Sequence, residues 1–214
     1  TGARNDSCNI VPIVGFGVVS TQIFPPIAPK LLVCAIGKSA SQVIDYFSLN
    51  QAPLESADLA IFIVSAQSAI SEADRKIWEQ ARELYIPSLI LITELTDGEI
   101  DFDDMSAIAA KLLDPLQTPY LVLHDDIGKP TALIDLDSLR IADYSDGKRI
   151  ERDSDNEHKV LVFEFRKEYL EAIEEFGPSG FASGLSFPAL PFIEDNGLGS
   201  FEIANLLNSL PSRS

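Results

Sequence analysis

The hydrophobic pattern changes its period several times along the chain. Residues 9–17 form an apolar run ending in glycines, which predicts a strand feeding a tight loop. Two further runs, 30–36 and 42–47, flank Gly37, Lys38, Ser39 and Ala40 and predict a β-hairpin. Residues 59–64 and 88–92 are uninterrupted and rich in branched side chains, as strands buried on both faces are. Between them Ala73, Ile77, Ala81 and Leu84 recur at helical spacing, with Ser71 as the N-cap and Pro87 as the terminator. A helix is predicted over 102–113 and another strand over 120–123. Buried strands alternating with amphipathic helices predict a parallel α/β sheet.

Beyond Pro130 the rhythm shifts. Residues 132–144 mix apolar and acidic positions, and 146–159 (DGKRIERDSDNEHK) read as a charged loop or hairpin tip. A strand over 160–165, a helix over 168–176 and a glycine-rich connector over 177–184 follow. A strand over 186–192 and a helix over 200–210 then restore the first pattern. The expected organisation is a core domain of residues 1–129 and 185–214, with an inserted subdomain and connector over 130–184. No repeat is visible.

Composition narrows the picture. The chain has 214 residues, 46% of them apolar, enough for a sizeable core. Its longest apolar runs are strand-length, far short of the roughly 20 residues a membrane helix needs. Residues 1–7 are polar and lack a signal-peptide pattern; the first residue is Thr1, which fits a piece of something longer. The net charge of −17 opposes extensive contact with a phosphate backbone. Cys8 and Cys34 make no disulfide framework, and His124 and His158 make no zinc site, which fits a reducing cytoplasm.

One family accounts for the order of these pieces. Residues 57–66 (ADLAIFIVSA), 73–84 (ADRKIWEQAREL), 86–92 (IPSLILI) and 98–104 (GEIDFDD) follow one another as in elongation factor G. Residues 132–136 (ALIDL) and 144–147 (YSDG) resemble the opening of that factor's inserted subdomain, and 187–190 (FPAL) and 206–211 (LLNSLP) its last strand and helix. The chain thus resembles the G domain of elongation factor G-type translational GTPases over most of residues 9–211. The resemblance implies a P-loop GTPase-like, three-layer, mostly parallel sheet with an inserted α+β subdomain.

The same resemblance says where nucleotide would sit, and each place departs from what the chemistry needs. A P-loop is G-x-x-x-x-G-K-[ST], whose amides and lysine hold phosphate and whose hydroxyl holds magnesium. At its place stand Gly15, Gly17, Ser20, Thr21 and Gln22, with Ser20 for the second glycine and Thr21 for the lysine. Residues 23–29 hold three prolines, so the family's first helix and switch loop have no room. The second switch, D-x-x-G, aligns with Asp45, Tyr46, Phe47 and Ser48, or in a rival register with Cys34, Ala35, Ile36 and Gly37. The base-reading N-K-x-D becomes Thr93, Glu94, Leu95 and Thr96, with Asp97 one residue late. The final loop, 191–195, lacks the small residues that seat guanine on backbone amides.

Plainer readings stand beside these. Gly15 and Gly17 serve as turn glycines, Asp45 as a strand-end cap, the acidic run 97–104 as a solvated helix start, and Trp78 as packing. Lys38, Ser39 and Ser41 have no base placed to activate them. Glu171, Glu174 and Glu175 read as the wet face of a helix. The expected function is a pseudo-GTPase: a translation-associated binding module with no catalytic residue and no metal site. No cofactor is expected, and GTP or GDP with Mg²⁺ belongs only to the alternative of an active GTPase. Expected partners are the ribosome, its protein factors or further domains of the same protein, in the cytoplasm, without nucleic acid or membrane. A third reading is an unrelated α/β binding module, which a structure without the insert would favour.

Overall fold

The two uninterrupted apolar runs are the central strands of a five-stranded, fully parallel sheet. A computed structural model describes residues 24–28, 30–96 and 100–211. The sheet comprises β1 (Leu32–Ile36), β2 (Asn50–Gln51), β3 (Leu59–Ser65), β4 (Ser88–Thr93) and β9 (Ala189–Pro191), in the order β2-β1-β3-β4-β9. Every residue of β3 and β4 is buried. Successive side chains point to opposite faces, so Leu59 and Ile61 enter one core while Ala60, Phe62 and Val64 enter another.

Each face is covered by helices. On one, α1 (Ala40–Phe47) and α6 (Ser200–Ser209) contribute Val43, Phe47, Ile203 and Leu207. On the other, α2 (Glu72–Glu83) and α3 (Phe102–Leu112) contribute Trp78, Ala81, Phe102 and Met105. The result is the expected three-layer α/β architecture. Ser71 caps α2 by accepting from the Asp74 amide at 3.1 Å, and Asp101 caps α3 by accepting from the Asp104 amide at 2.9 Å. The described part of the acidic run around Asp101 is therefore a helix start, and no metal-binding cluster occurs among the described residues.

Two segments expected as strands are helical instead. The hairpin over 30–47 is instead a strand, a turn and a helix, because Ala40, Val43, Ile44 and Phe47 fall at helical spacing and bury one stripe against the sheet. The strand expected over 160–165 is the junction of α4 (Asn156–Leu161) and α5 (Phe163–Phe176). Asp155 caps α4 by accepting from the His158 amide at 2.9 Å, which starts the helix before the apolar run can pair as a strand.

A second, antiparallel sheet follows the first. It runs β5 (Tyr120–His124), β6 (Pro130–Asp135), β7 (Arg140–Asp143), β8 (Ile150–Asp153), in that order. Residues 120–123, expected beside the core strands, pair with β6 here. The charged stretch expected to be a loop or hairpin tip holds the turn between β7 and β8, all of β8, exposed at every position, and the start of α4. Leu121, Ile134, Leu136, Ile141 and Val162 make this unit's own core, with Tyr169 of α5 against it. The opposite face, through Leu133, Ala142 and Tyr144, joins the core of the first sheet. Tyr144 donates to Glu202 of α6 at 2.5 Å, and Arg149 Nε donates to the same carboxylate at 2.9 Å. The Arg149 guanidinium lies 3.9 Å from the centroid of the Phe201 ring.

Candidate functional site

The chain leaves β1 outward, through α1 to β2, and then returns past β1 to β3. In open α/β sheets, such a reversal opens a crevice at the carboxyl ends of the strands, and ligands bind there. Two adjoining hollows occupy that edge. The larger, about 250 Å³, lies between the β1 and β3 exits and includes Lys38, Ser65, Ser68, Ser71 and Asp74. The smaller, about 180 Å³, lies between α1 and the β4 and β9 exits and includes Gln42, Glu94, Thr96, Glu194 and Asp195. Ser39 and Thr93 border both.

Only Gly37, Lys38 and Ser39 stand between β1 and α1. Gly37 has φ +117°, and a Cβ there would sit 2.3 Å from the backbone oxygen of Ile63. Neither the φ nor the contact with β3 tolerates a side chain. Gly37→Ala is expected to cost about 3 kcal/mol in urea unfolding, from left-handed strain plus a backbone clash; an unchanged midpoint would refute this tight junction.

The β4 exit is also constrained. Glu94 has φ +59° without being glycine. Its carboxylate accepts from Ser65 Oγ at the end of β3, and its backbone oxygen accepts from Gln67 Nε2 at 3.4 Å. Ser65 Oγ in turn accepts from the Gln67 amide at 3.0 Å. Glu94 is thus folded back across the sheet edge, joining the β3 and β4 exit loops. Beside it Thr93 is 8% exposed, and its Oγ1 has no hydrogen-bond partner among the described residues.

No family model matches the chain. It is similar to two curated proteins called "Elongation factor G-like protein", from Mycobacterium tuberculosis strains CDC 1551 / Oshkosh and ATCC 25618 / H37Rv. Each is 22% identical over 183 residues, covering 74% of this chain and 25% of the relative. A solved structure from Thermus thermophilus superposes with a TM-score of 0.64 at 25% identity, covering 74% of this chain and 27% of that one. The three-layer α/β fold is thus shared with that solved structure, and the sequence likeness is to elongation factor G-like proteins. The chain spans about a quarter of the length of the curated relatives it matches.

The residues matched to nucleotide loops separate into three groups. Thr93, Glu94 and Thr96 come together at the carboxyl edge, facing Glu194 and Asp195. Asp45 does not join them: it lies on the exposed side of α1, in mid-helix rather than at a strand end. Gly15, Gly17, Ser20, Thr21 and Asp97 lie outside the described residues. Gly37, Lys38 and Ser39, expected in a hairpin turn, instead start a helix at the switch point. The signal was available: Gly-Lys-Ser directly precedes a stripe spaced by three and four residues. Even so, the residues before Gly37 are strand, so no loop precedes it to wrap a phosphate.

Proposed function

We propose that this domain keeps the frame of a translational G domain as a binding module and does not hydrolyse GTP. The observation that carries the reading is the make-up of the smaller hollow. Glu94, Glu194 and Asp195 border it, and no lysine or arginine does among the described residues. A nucleoside triphosphate brings several negative charges of its own, and like charges held together are destabilising. Thr96 supplies one hydroxyl where a carboxylate would accept two hydrogen bonds from guanine, so base discrimination is lost as well. An active hydrolase draws support from Gly37, Lys38 and Ser39, but the missing loop ahead of them weighs against it.

The module's partners, on this reading, are the ribosome, its protein factors or further domains of a longer protein, in the cytoplasm. No helix among the described residues is long and apolar enough to cross a membrane. The test is calorimetric titration of the chain with GTP and GDP, with and without Mg²⁺, beside a phosphate-release assay. No binding tighter than millimolar and no turnover are expected. Magnesium-dependent binding with phosphate release would overturn the proposal.

A further inference from the structure

We propose that the smaller hollow is a recognition pocket for an organic cation, an alkylammonium or guanidinium group on an aliphatic stem. This rests on the reading that the edge is closed to nucleotide, and it names the ligand chemistry that the edge does suit.

Charge comes first. Glu94, Glu194 and Asp195 stand on separate loops, after β4 and after β9, and converge on one opening. Glu94 is held there by Ser65 and by its own left-handed backbone, so its position is set by the fold and not by a free rotamer. Three carboxylates, with no lysine or arginine lining the hollow among the described residues, favour a positive guest.

The walls give the second requirement. Val43 and Leu95, with Phe192 and Ile193, line the same hollow with apolar surface. Lysine and arginine side chains, and the diamines related to them, bury an apolar stem and present a charged head. A volume of about 180 Å³ suits one such group.

The third observation is independent of charge. Thr93 lines the hollow, is more than nine-tenths buried and leaves Oγ1 without a partner among the described residues. Buried hydroxyls are rarely left unpaired. An N–H donor entering past the carboxylates would supply that partner, and ammonium and guanidinium groups carry donors to spare.

The free cation and the side chain of a partner protein share this chemistry, so the experiment uses both. The whole chain is titrated calorimetrically with agmatine and with a capped Gly-Arg-Gly tripeptide, at low and high salt. At least one probe is expected to bind, about tenfold more weakly when sodium chloride is raised from about 50 to about 500 mM. Glu194→Gln with Asp195→Asn, both exposed and therefore safe for folding, is expected to weaken binding at least tenfold, and Thr93→Val by severalfold. Preference for the tripeptide assigns a basic protein segment as the natural ligand; preference for agmatine assigns a free cation. Failure of both probes, or binding unaffected by all these substitutions, overturns the pocket. GTP competing with a bound probe would sink the nucleotide-free reading while leaving the pocket standing.

Discussion

Trp78→Ala is expected to remove about 4 kcal/mol of stability, the largest loss from any single truncation proposed for this domain. Trp78 is 2% exposed and wedged between Phe62 of β3 and Phe187 just before β9, with both ring centroids 5.0 Å away and edge-on. Its indole N–H donates to Asp114 Oδ2 at 2.7 Å, an oxygen that also accepts from Arg82 Nε at 2.9 Å. Arg82 lies 4.4 Å from the centroid of Phe187 and donates to the Gly184 backbone at 3.1 Å. Alanine leaves a cavity and takes one of two donors from Asp114. Trp78→Phe fills most of the space and should lose only about half as much. The chain has one tryptophan, so the urea melts are followed by circular dichroism rather than fluorescence. Equal losses for the two variants would mean that ring packing is not what holds α2.

Glu202→Ala is expected to cost about 3 kcal/mol. The carboxylate is 3% exposed and accepts from both Tyr144 and Arg149 of the antiparallel unit. Burial first, and the adjacent Glu202 charge second, push the Tyr144 phenol above its ordinary range, so it stays neutral and donates. Truncating one member of a buried hydrogen-bonded pair is costly because the other polar groups remain buried. Arg149 keeps its contact with Glu151 at 2.7 Å, so the loss falls mainly on Tyr144 and on the link to α6. Hydrogen exchange should accelerate in β7 and β8 before it does in β3 and β4. Uniform acceleration across both sheets would contradict a local coupling.

What was legible in the sequence is what local physics decides. β3 and β4 announce themselves because a strand covered on both faces has no polar positions to break its run. α2 and the acidic start of α3 are written in their caps, Ser71 and Asp101. α1 was misread although Ala40, Val43, Ile44 and Phe47 carry the helical spacing, because the short apolar run 42–47 also passes for a buried strand. β5 was expected in the wrong sheet for a related reason: nothing inside residues 120–124 says whether the partner is parallel or antiparallel. At the site, Thr93, Glu94 and Thr96 were singled out through the resemblance to the family's base-reading loop, and they stand where β4 ends. The clamp from Ser65 was not readable, because it depends on the left-handed turn at Glu94 and on two strands lying side by side.

β8 has an outcome beyond the domain's own stability. Arg140 bonds across to Glu151 at 3.2 Å and Asp153 at 2.9 Å, while Ile150, Glu151, Arg152 and Asp153 all remain wet. Exposed ion pairs of this kind add little to folding. They do make a poor template: another chain adding itself there would have to strip water from alternating charges before making a single backbone bond. The antiparallel sheet therefore ends at β8, guarded against polymerising through its open rim.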